Sequence, residues 1–391
     1  SRLFGYLFGV KPHGESSIIT ALILACLFIP PVAAIGFVKL ALVGIFATAS
    51  KYLLAVHGRH IFNPAAIATV IASVTGVAFA GWWVATPALI PLTLVMTLTI
   101  LYKTKRMEMG LLFIVLAAIF ITTQSVMLGG TVGMSLWATL ASWPILFFAG
   151  IMLSEPLTMP PRRWQQLTIA AGVAVLLIIP LKLPFLLMTP ALALVIGNAV
   201  SWYWDSHRAM RLKFVQRTKF TASSYEFVFE GMVPFTAGQY IELTLPHKGA
   251  DSRGMRRMFT IATSPGDKNT RFGIKIPEKS STFKHALMNL HPGTVISATR
   301  VAGDFVLPKD TSKPLLFVAG GIGITPLISF LRAYKKRDIV LVYATANPEE
   351  IAYRDIIAVS GIKVIVVTNG KPGHLPGGWK VVNDSRVSAE L

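Results

Sequence analysis

A single cysteine, Cys26, stands among 391 residues, and its isolation removes whole classes of chemistry. A disulfide needs two thiols and an iron–sulfur cluster about four, so this chain forms neither by itself. Cys26 reads as a small apolar side chain within the first hydrophobic segment. Charge is scarce as well: only 14% of residues are charged, against about a quarter in soluble domains, and the mean hydropathy is +0.60. That balance excludes an ordinary soluble protein. Acidic residues are the scarcer sign, 18 against 37 basic ones, for a formal charge of +19. The basic residues gather at the ends of apolar segments and scatter through the remainder, the pattern of a membrane protein facing an anionic leaflet. Membrane lipid is an implied partner and nucleic acid is not. Histidine is short too: of eight, only His57 and His60 approach the apolar segments, and both flank Arg59 in a loop. Intramembrane haem needs histidine pairs within the spans, so none is expected, and no metal-ligand set is found.

What the chain has in abundance is hydrophobic length. Stretches near 17–36, 37–56, 61–80, 83–101, 110–128, 136–153, 166–181 and 185–204 are each close to the roughly 20 residues that cross a bilayer. About eight spans are expected. Lys103, Lys105, Arg106, Arg162, Arg163, Arg211 and Lys213 fall on one side if the spans alternate, which puts both termini in the cytoplasm. Up to Leu212 there are 13 basic and only 4 acidic residues, and most of the charge follows. A transmembrane helical domain is expected over 1–212, followed by soluble parts at 213–310 and 311–391.

Residues 213–310 alternate with a period of two in KFVQRT, SYEFVFEG, QYIELTLP, RRMFTIAT, FGIKIP and TVISATRV, interrupted by one helical stretch from Thr282 to Leu290. Six short strands suit a closed antiparallel barrel, which hides its edges. From Lys313 strand and helix alternate, as in a parallel doubly wound sheet. Its first strand breaks at Gly320-Gly321-x-Gly323-x-Thr325-Pro326 and resumes as a helix, so glycine backbone meets a helix N-terminus where a pyrophosphate can lie. Alone, a plain strand-to-helix turn would look the same. Upstream stand Phe235-Thr236-Ala237-Gly238-Gln239-Tyr240, then Arg257-Met258-Phe259-Thr260, then Ser281-Thr282-Phe283.

In that order these motifs resemble the ferredoxin reductase-like flavoenzymes, from about Lys213 to the chain end. The resemblance implies FAD in the barrel and a nicotinamide nucleotide on the glycine loop. By it, Arg257 supplies charge to the pyrophosphate, Phe259 a stacking face and Thr260 a hydroxyl near the flavin N5, while Ser281 and Thr282 donate to phosphate at a helix start. Gly320, Gly321 and Gly323 admit the nucleotide, and Thr325 and Pro326 open the next helix beside the nicotinamide. Thr260 and Thr325 are the catalytic contacts it implies. Phe259 departs from the family's frequent tyrosine. NADH and NADPH both suit the loop, but Ala344-Thr345-Ala346-Asn347-Pro348 lacks the cation a 2′-phosphate wants, which favours NADH. The family's closing strand with a Cys-Gly-Pro motif does not occur before Leu391, so an incomplete nucleotide part is expected.

The membrane half carries Gly58-Arg59-His60-Ile61-Phe62-Asn63-Pro64-Ala65-Ala66 and Val84-Ala85-Thr86-Pro87. These are similar to the GR-x-x-FNPA and SGAT-P elements of the flavin-bearing membrane subunits of sodium-translocating NADH:quinone oxidoreductase and of the Rnf complex. The likeness implies FMN joined to Thr86 by a phosphoester, or held there non-covalently, with Asn63 as a polar contact. Asn63-Pro64 equally suits a capped helix start, and Trp83-Val84 replace the family's Ser-Gly. Glu155, at a span end, is either an ion or proton group or a boundary carboxylate. The combined expectation is a multi-pass α-helical membrane domain fused to a ferredoxin reductase-like module, an antiparallel β-barrel plus an α/β doubly wound part. It would be an oxidoreductase of the cytoplasmic membrane, taking electrons from NADH or NADPH through FAD into and across the bilayer. A flavin, a quinone or an extracytoplasmic carrier would receive them. The competing expectation is a transporter or assembly scaffold with a redox-sensing reductase module.

Overall fold

A computed structural model describes residues 2–8, 14–56, 59–179, 182–183, 186–206, 210–251, 253–334, 337–369, 375–384 and 387. It divides into the units Ser1–His207 and Arg208–Leu391. The division falls slightly before the expected boundary at Leu212, because the second unit's first strand already begins at Met210. His57, Gly58 and Arg208 lie outside the described residues.

In the first unit, helices occupy Gly14–Leu27, Ala34–Leu53, Pro64–Val74, Ile90–Lys103, Met107–Met127, Val132–Ser142, Arg163–Leu176 and Pro190–Ser206. Among the described residues only Ala34–Leu53 and Met107–Met127 are long and apolar enough to cross a membrane, with a third span if the bent pair Val132–Ser142 and Ile145–Leu153 counts as one. The remaining segments are helical over shorter stretches than expected, for local reasons. Pro30 and Pro31 lie between the first two helices, and proline cannot continue a helix. Gly76 and Trp82 take positive φ after Pro64–Val74, which delays the next helix. Pro144 follows Ser142, and the chain there bends by 52°. Thr97 satisfies a carbonyl near that bend, its hydroxyl donating to Leu146 O at 2.7 Å. Small residues fill the interior: Ala47, Ala66, Ala68, Ala72, Ala117 and Ala149 have no exposed surface. Large ones such as Leu27, Phe113, Phe148 and Met152 share that interior, while others face outward, with Ile18, Leu22, Ile35 and Phe37 each at least 60% exposed.

Among the described residues the second unit opens with six antiparallel strands: β1 (Met210–Lys219), β2 (Ser224–Glu230), β3 (Tyr240–Thr244), β4 (Arg256–Thr260), β5 (Asn269–Lys275) and β6 (Val295–Ala302). Their order in the sheet is β4-β3-β6-β1-β2-β5. The sheet curls until its edges meet beyond β4, where Ala262 N donates to Arg271 O at 2.9 Å. Alternation sends Phe227, Phe229, Phe272 and Ile274 inward. Helix α1 (Thr282–Met288) adds Phe283 and Leu287 to the same core. Among the described residues four parallel strands follow in chain order, β7 (Leu315–Gly320), β8 (Ile339–Ala344), β9 (Lys363–Thr368) and β10 (Lys380–Asn383), one more than the three or so read from the sequence. Helices α2 (Thr325–Ala333) and α3 (Arg354–Val359) lie in the crossovers, and Leu327, Ile328, Phe330 and Ile357 pack on Phe317, Leu341 and Val366 of the sheet.

Candidate functional site

Strand β4 pairs with β3 so that Arg257 lies opposite Leu243, Phe259 opposite Ile241 and Thr260 opposite Tyr240. Directly paired residues share a face. Leu243 and Ile241 are fully buried, so Arg257 and Phe259 turn inward and Met258 turns out. The Phe259 ring lies 5.9 Å from that of Phe283 and 6.3 Å from that of Phe272. It is partly buried, packed against the barrel core. Arg257 stands 5.3 Å over the Phe283 ring. Its Nη1 donates to the carbonyls of Arg253, Gly254 and Arg256 at 2.9, 3.0 and 2.6 Å, and its Nη2 donates to Asp251 Oδ1 at 3.0 Å. The 251–257 turn is folded around this guanidinium, which holds the cation in place.

Both hydroxyls at the start of α1 are engaged. Ser281 caps the helix, its Oγ accepting from Lys284 N at 3.4 Å. Thr282 Oγ1 accepts from Asp251 N at 3.0 Å and lies 3.1 Å from His247 Nε2, which ties the helix start to the same turn. Burial, followed by the Arg253 and Arg257 charges, pulls the Lys284 ammonium below its ordinary pKa. Burial works to raise the Asp251 pKa, but the Arg253 amide and the Arg257 guanidinium hold the carboxyl below its usual range. Arg253 and Arg257 share the Asp251 carboxylate, and Lys284, whose ammonium donates to Lys275 O at 2.6 Å, adds a third cation near the two arginines; the positive surplus of this donor set fits a diphosphate. Asp251, His247 and Lys284 belong to no motif, and the density of arginine at 253–257 is the one sequence signal that marks the cluster. A cavity of about 530 Å³ opens beside it, lined by Pro246, His247, Lys248, Thr282, His285 and Asn289, within the size range of small-molecule sites.

Strand β7 ends at Gly320, a 3₁₀ turn covers Gly321–Ile324, and α2 starts at Thr325. Gly321 has φ +48°, in the left-handed region that glycine enters without penalty. A Cβ on Gly320, Gly321 or Gly323 would meet nothing within 4 Å. The backbone of the loop faces open space, as close approach of a ligand requires. From behind, the buried Tyr343 hydroxyl donates to Gly321 O at 3.0 Å and accepts from Ala352 N at 3.2 Å. Burial pushes this phenol well above its ordinary pKa, so it remains a donor at physiological pH. Thr325 is buried, and its hydroxyl donates to Ile322 O at 2.7 Å. The side chain expected beside the nicotinamide closes the turn that opens α2, with Pro326 next to it in the first helical turn. Beyond β8, Glu349 is exposed and Glu350 pairs with Lys275 at 3.0 Å. Two acids follow the second strand, where a 2′-phosphate would need a cation.

In the first unit, Asn63 is buried and caps Pro64–Val74. Its Oδ1 accepts from Ala66 N at 3.0 Å, its Nδ2 donates to Met152 O at 3.4 Å, and its amide donates to Asn198 Oδ1 at 2.8 Å. The capped helix start is what this structure contains. Thr86 precedes the 3₁₀ turn Pro87–Leu89 and makes no side-chain capping bond to it. Glu155 is 3.0 Å from His60 Nε2 and accepts from Thr158 at 3.2 Å.

Residues 317–360 match the family model described as an oxidoreductase NAD-binding domain. A flavohemoprotein of Xylella fastidiosa is 33% identical over 124 residues, 30% of this chain and 30% of that protein. Ferredoxin–NADP reductase B of Sorangium cellulosum is 32% identical over 126 residues, 31% of this chain and 50% of that protein. The chain spans between 30% and 50% of the length of these curated relatives. Among solved structures, the flavohem-like FAD/NAD binding domain of nitric oxide dioxygenase from Vibrio cholerae gives a TM-score of 0.40 at 18% identity, covering 46% of this chain and 81% of that one. The C-terminal region resembles ferredoxin reductase-like FAD/NAD-binding domains, and its relatives support FAD and NAD(P)H as cofactors.

Proposed function

We propose that the chain is a membrane-bound flavin reductase in which NADH, in preference to NADPH, reduces FAD held by the barrel, and electrons leave through the helical unit. The observation that carries this is the open glycine backbone at 320–323, within the matched oxidoreductase NAD-binding region. Bound FAD would supply hydride acceptance and release of single electrons. Arg253, Arg257 and Lys284 hold its diphosphate, and Asp251 keeps Arg257 oriented between turns of the cycle. Ser281 and Thr282 brace the helix start and the 251–257 turn against each other. Phe259 and Thr260, at the end of β4, would border the flavin ring system. Gly320, Gly321 and Gly323 let the nucleotide approach, while Thr325, Pro326 and Tyr343 hold the loop in shape. The exposed acid Glu349 disfavours a 2′-phosphate, while Glu350 is already matched by Lys275.

The helical unit lies in the cell membrane as a multi-pass domain, with both termini and the reductase unit on the cytoplasmic side. Its packing supports this: in water, an outer surface of Ile18, Leu22, Ile35 and Phe37 is unfavourable, whereas a bilayer accepts it, and alanines buried in the interior let helices approach closely. The sequence elements Gly58 to Ala66 and Val84 to Pro87 motivate a flavin station, FMN anchored at Thr86, whose side chain makes no capping bond to the turn that follows. From there electrons pass to a flavin, a quinone or an extracytoplasmic carrier. Anaerobic addition of NADH to the full chain, purified in detergent, should bleach a flavin that extraction identifies as FAD. A flavin that neither NADH nor NADPH bleaches refutes the reading.

A further inference from the structure

Helix α2 leaves the glycine loop at Thr325 and reaches Arg332 about 10 Å further along its axis, at 1.5 Å per residue. Its far end is fastened to the barrel. Ser329 donates to Thr263 O at 2.7 Å, and Arg332 donates to Ala262 O at 2.7 Å. Both carbonyls belong to the segment that continues β4 just beyond Thr260. Arg332 also donates to Glu226 Oε1 of β2 at 3.2 and 3.3 Å, while Glu226 Oε2 accepts from Arg271 of β5 at 3.0 Å. The Arg271 amide closes the ring by donating to Thr263 Oγ1 at 2.9 Å. Glu226 is 5% exposed, and a carboxylate so far removed from water persists only when matched, here by two guanidinium groups.

Tyr353 covers this ion cluster. Its ring centroid is 5.7 Å from the Arg332 guanidinium, and its backbone sits at φ +60°, a conformation that costs a non-glycine residue unless the surroundings impose it. Gly273 of β5 leaves room for the Tyr353 hydroxyl, since a Cβ there would collide with it. An apolar seal completes the joint: Ala237 and Ala262 of the barrel part are buried in one cluster with Leu327 and Phe330 of α2. The charged and apolar contacts alike bind α2 to the barrel behind Thr260.

From this arrangement we infer that Arg332 and Glu226 are positioning residues for hydride transfer, setting the distance between the glycine loop at one end of α2 and Thr260 at the end of β4. The inference rests on the reductase reading and deepens it, since neither residue belongs to a flavin or nucleotide motif. Reacting atoms must lie within about 3–3.5 Å, and a misplacement of about 1 Å can cost on the order of a hundredfold in rate. Arg332→Lys keeps the charge but loses the fork that reaches Ala262 O and Glu226 together.

The test uses the FAD-loaded full chain, mixed anaerobically with saturating NADH and followed by flavin absorbance. In Arg332→Lys and in Glu226→Gln, flavin reduction should slow by about tenfold to a hundredfold, and the long-wavelength charge-transfer absorbance of stacked nicotinamide and flavin should weaken. FAD content and NADH affinity should stay close to those of the parent. Parent-like reduction rates in both variants overturn the inference. Loss of FAD or of the fold in Arg332→Lys overturns it too, because the cluster would then be scaffold. A parent protein whose flavin neither nucleotide reduces refutes the reductase reading itself, a failure visible before any variant is made.

Discussion

Replacing Gly323 by alanine separates the nucleotide from the protein as the cause of any loss. Gly323 is not among the glycines at positive φ, and an added Cβ meets no protein atom within 4 Å, so the fold accepts the methyl. Such a change at a compatible site stabilises by about 0.4–1 kcal/mol through the unfolded chain, a rise in Tm of roughly 1–4 °C for a unit of this size. A phosphate seated on glycine backbone does not accept it. Held off the loop, the ligand forfeits a charge-assisted hydrogen bond of about 1.5–3 kcal/mol, which is a tenfold to hundredfold rise in Kd. Gly321→Ala adds backbone strain of about 1–2 kcal/mol, because φ there is +48°, so it should lower Tm as well as affinity. Thermal unfolding of the FAD-loaded protein and anaerobic NADH titration of flavin bleaching read the two effects apart. The reasoning is refuted if Gly323→Ala binds NADH as tightly as the parent, or if it loses FAD.

Three further outcomes are expected. With Glu349 and Glu350 after the second strand, kcat/KM for NADH should exceed that for NADPH by about tenfold or more, one charge-assisted contact's worth, and Glu349→Arg should narrow the gap; equal constants in the parent contradict this. Because the folded Asp251 pKa is depressed, its contribution is present above its ordinary value of about 3.9 and drains away as pH falls below it. FAD fluorescence on release should therefore rise below about pH 4 in the parent and do so less steeply in Asp251→Asn; identical acid limbs would remove Asp251 from the account. FMN fluorescence should persist on a denaturing gel and vanish in Thr86→Ala, whereas fluorescence surviving that substitution excludes Thr86 as the anchor.

The glycine loop and the Arg257 to Thr260 strand were legible because neighbours along the chain produce them. A period of two marks a strand, Gly321 supplies a φ other residues resist, and Pro326 suits a first helical turn. Helix length in the first unit was less legible. A hydropathy window sums composition, whereas Pro30, Pro31, Gly76 and Pro144 interrupt the helices regardless of how apolar their surroundings are. Several side chains singled out along the chain make contacts within the protein that their neighbours in sequence do not announce. Asn63 bonds to Asn198, 135 residues away, Thr282 serves the Asp251 turn, and the Thr325 hydroxyl turns back to Ile322.

By itself the sequence determined the apolar first half, the strand-rich second half and the glycine turn, because composition, alternation and backbone preference act over a few residues. Only the tertiary structure decided how cations gather around Asp251 and how Glu226 meets Arg332 across 106 residues. A carboxylate held by two guanidinium groups depends on being enclosed, and enclosure comes from β2, β5, α2 and Tyr353 converging in space, not from any order of residues along the chain.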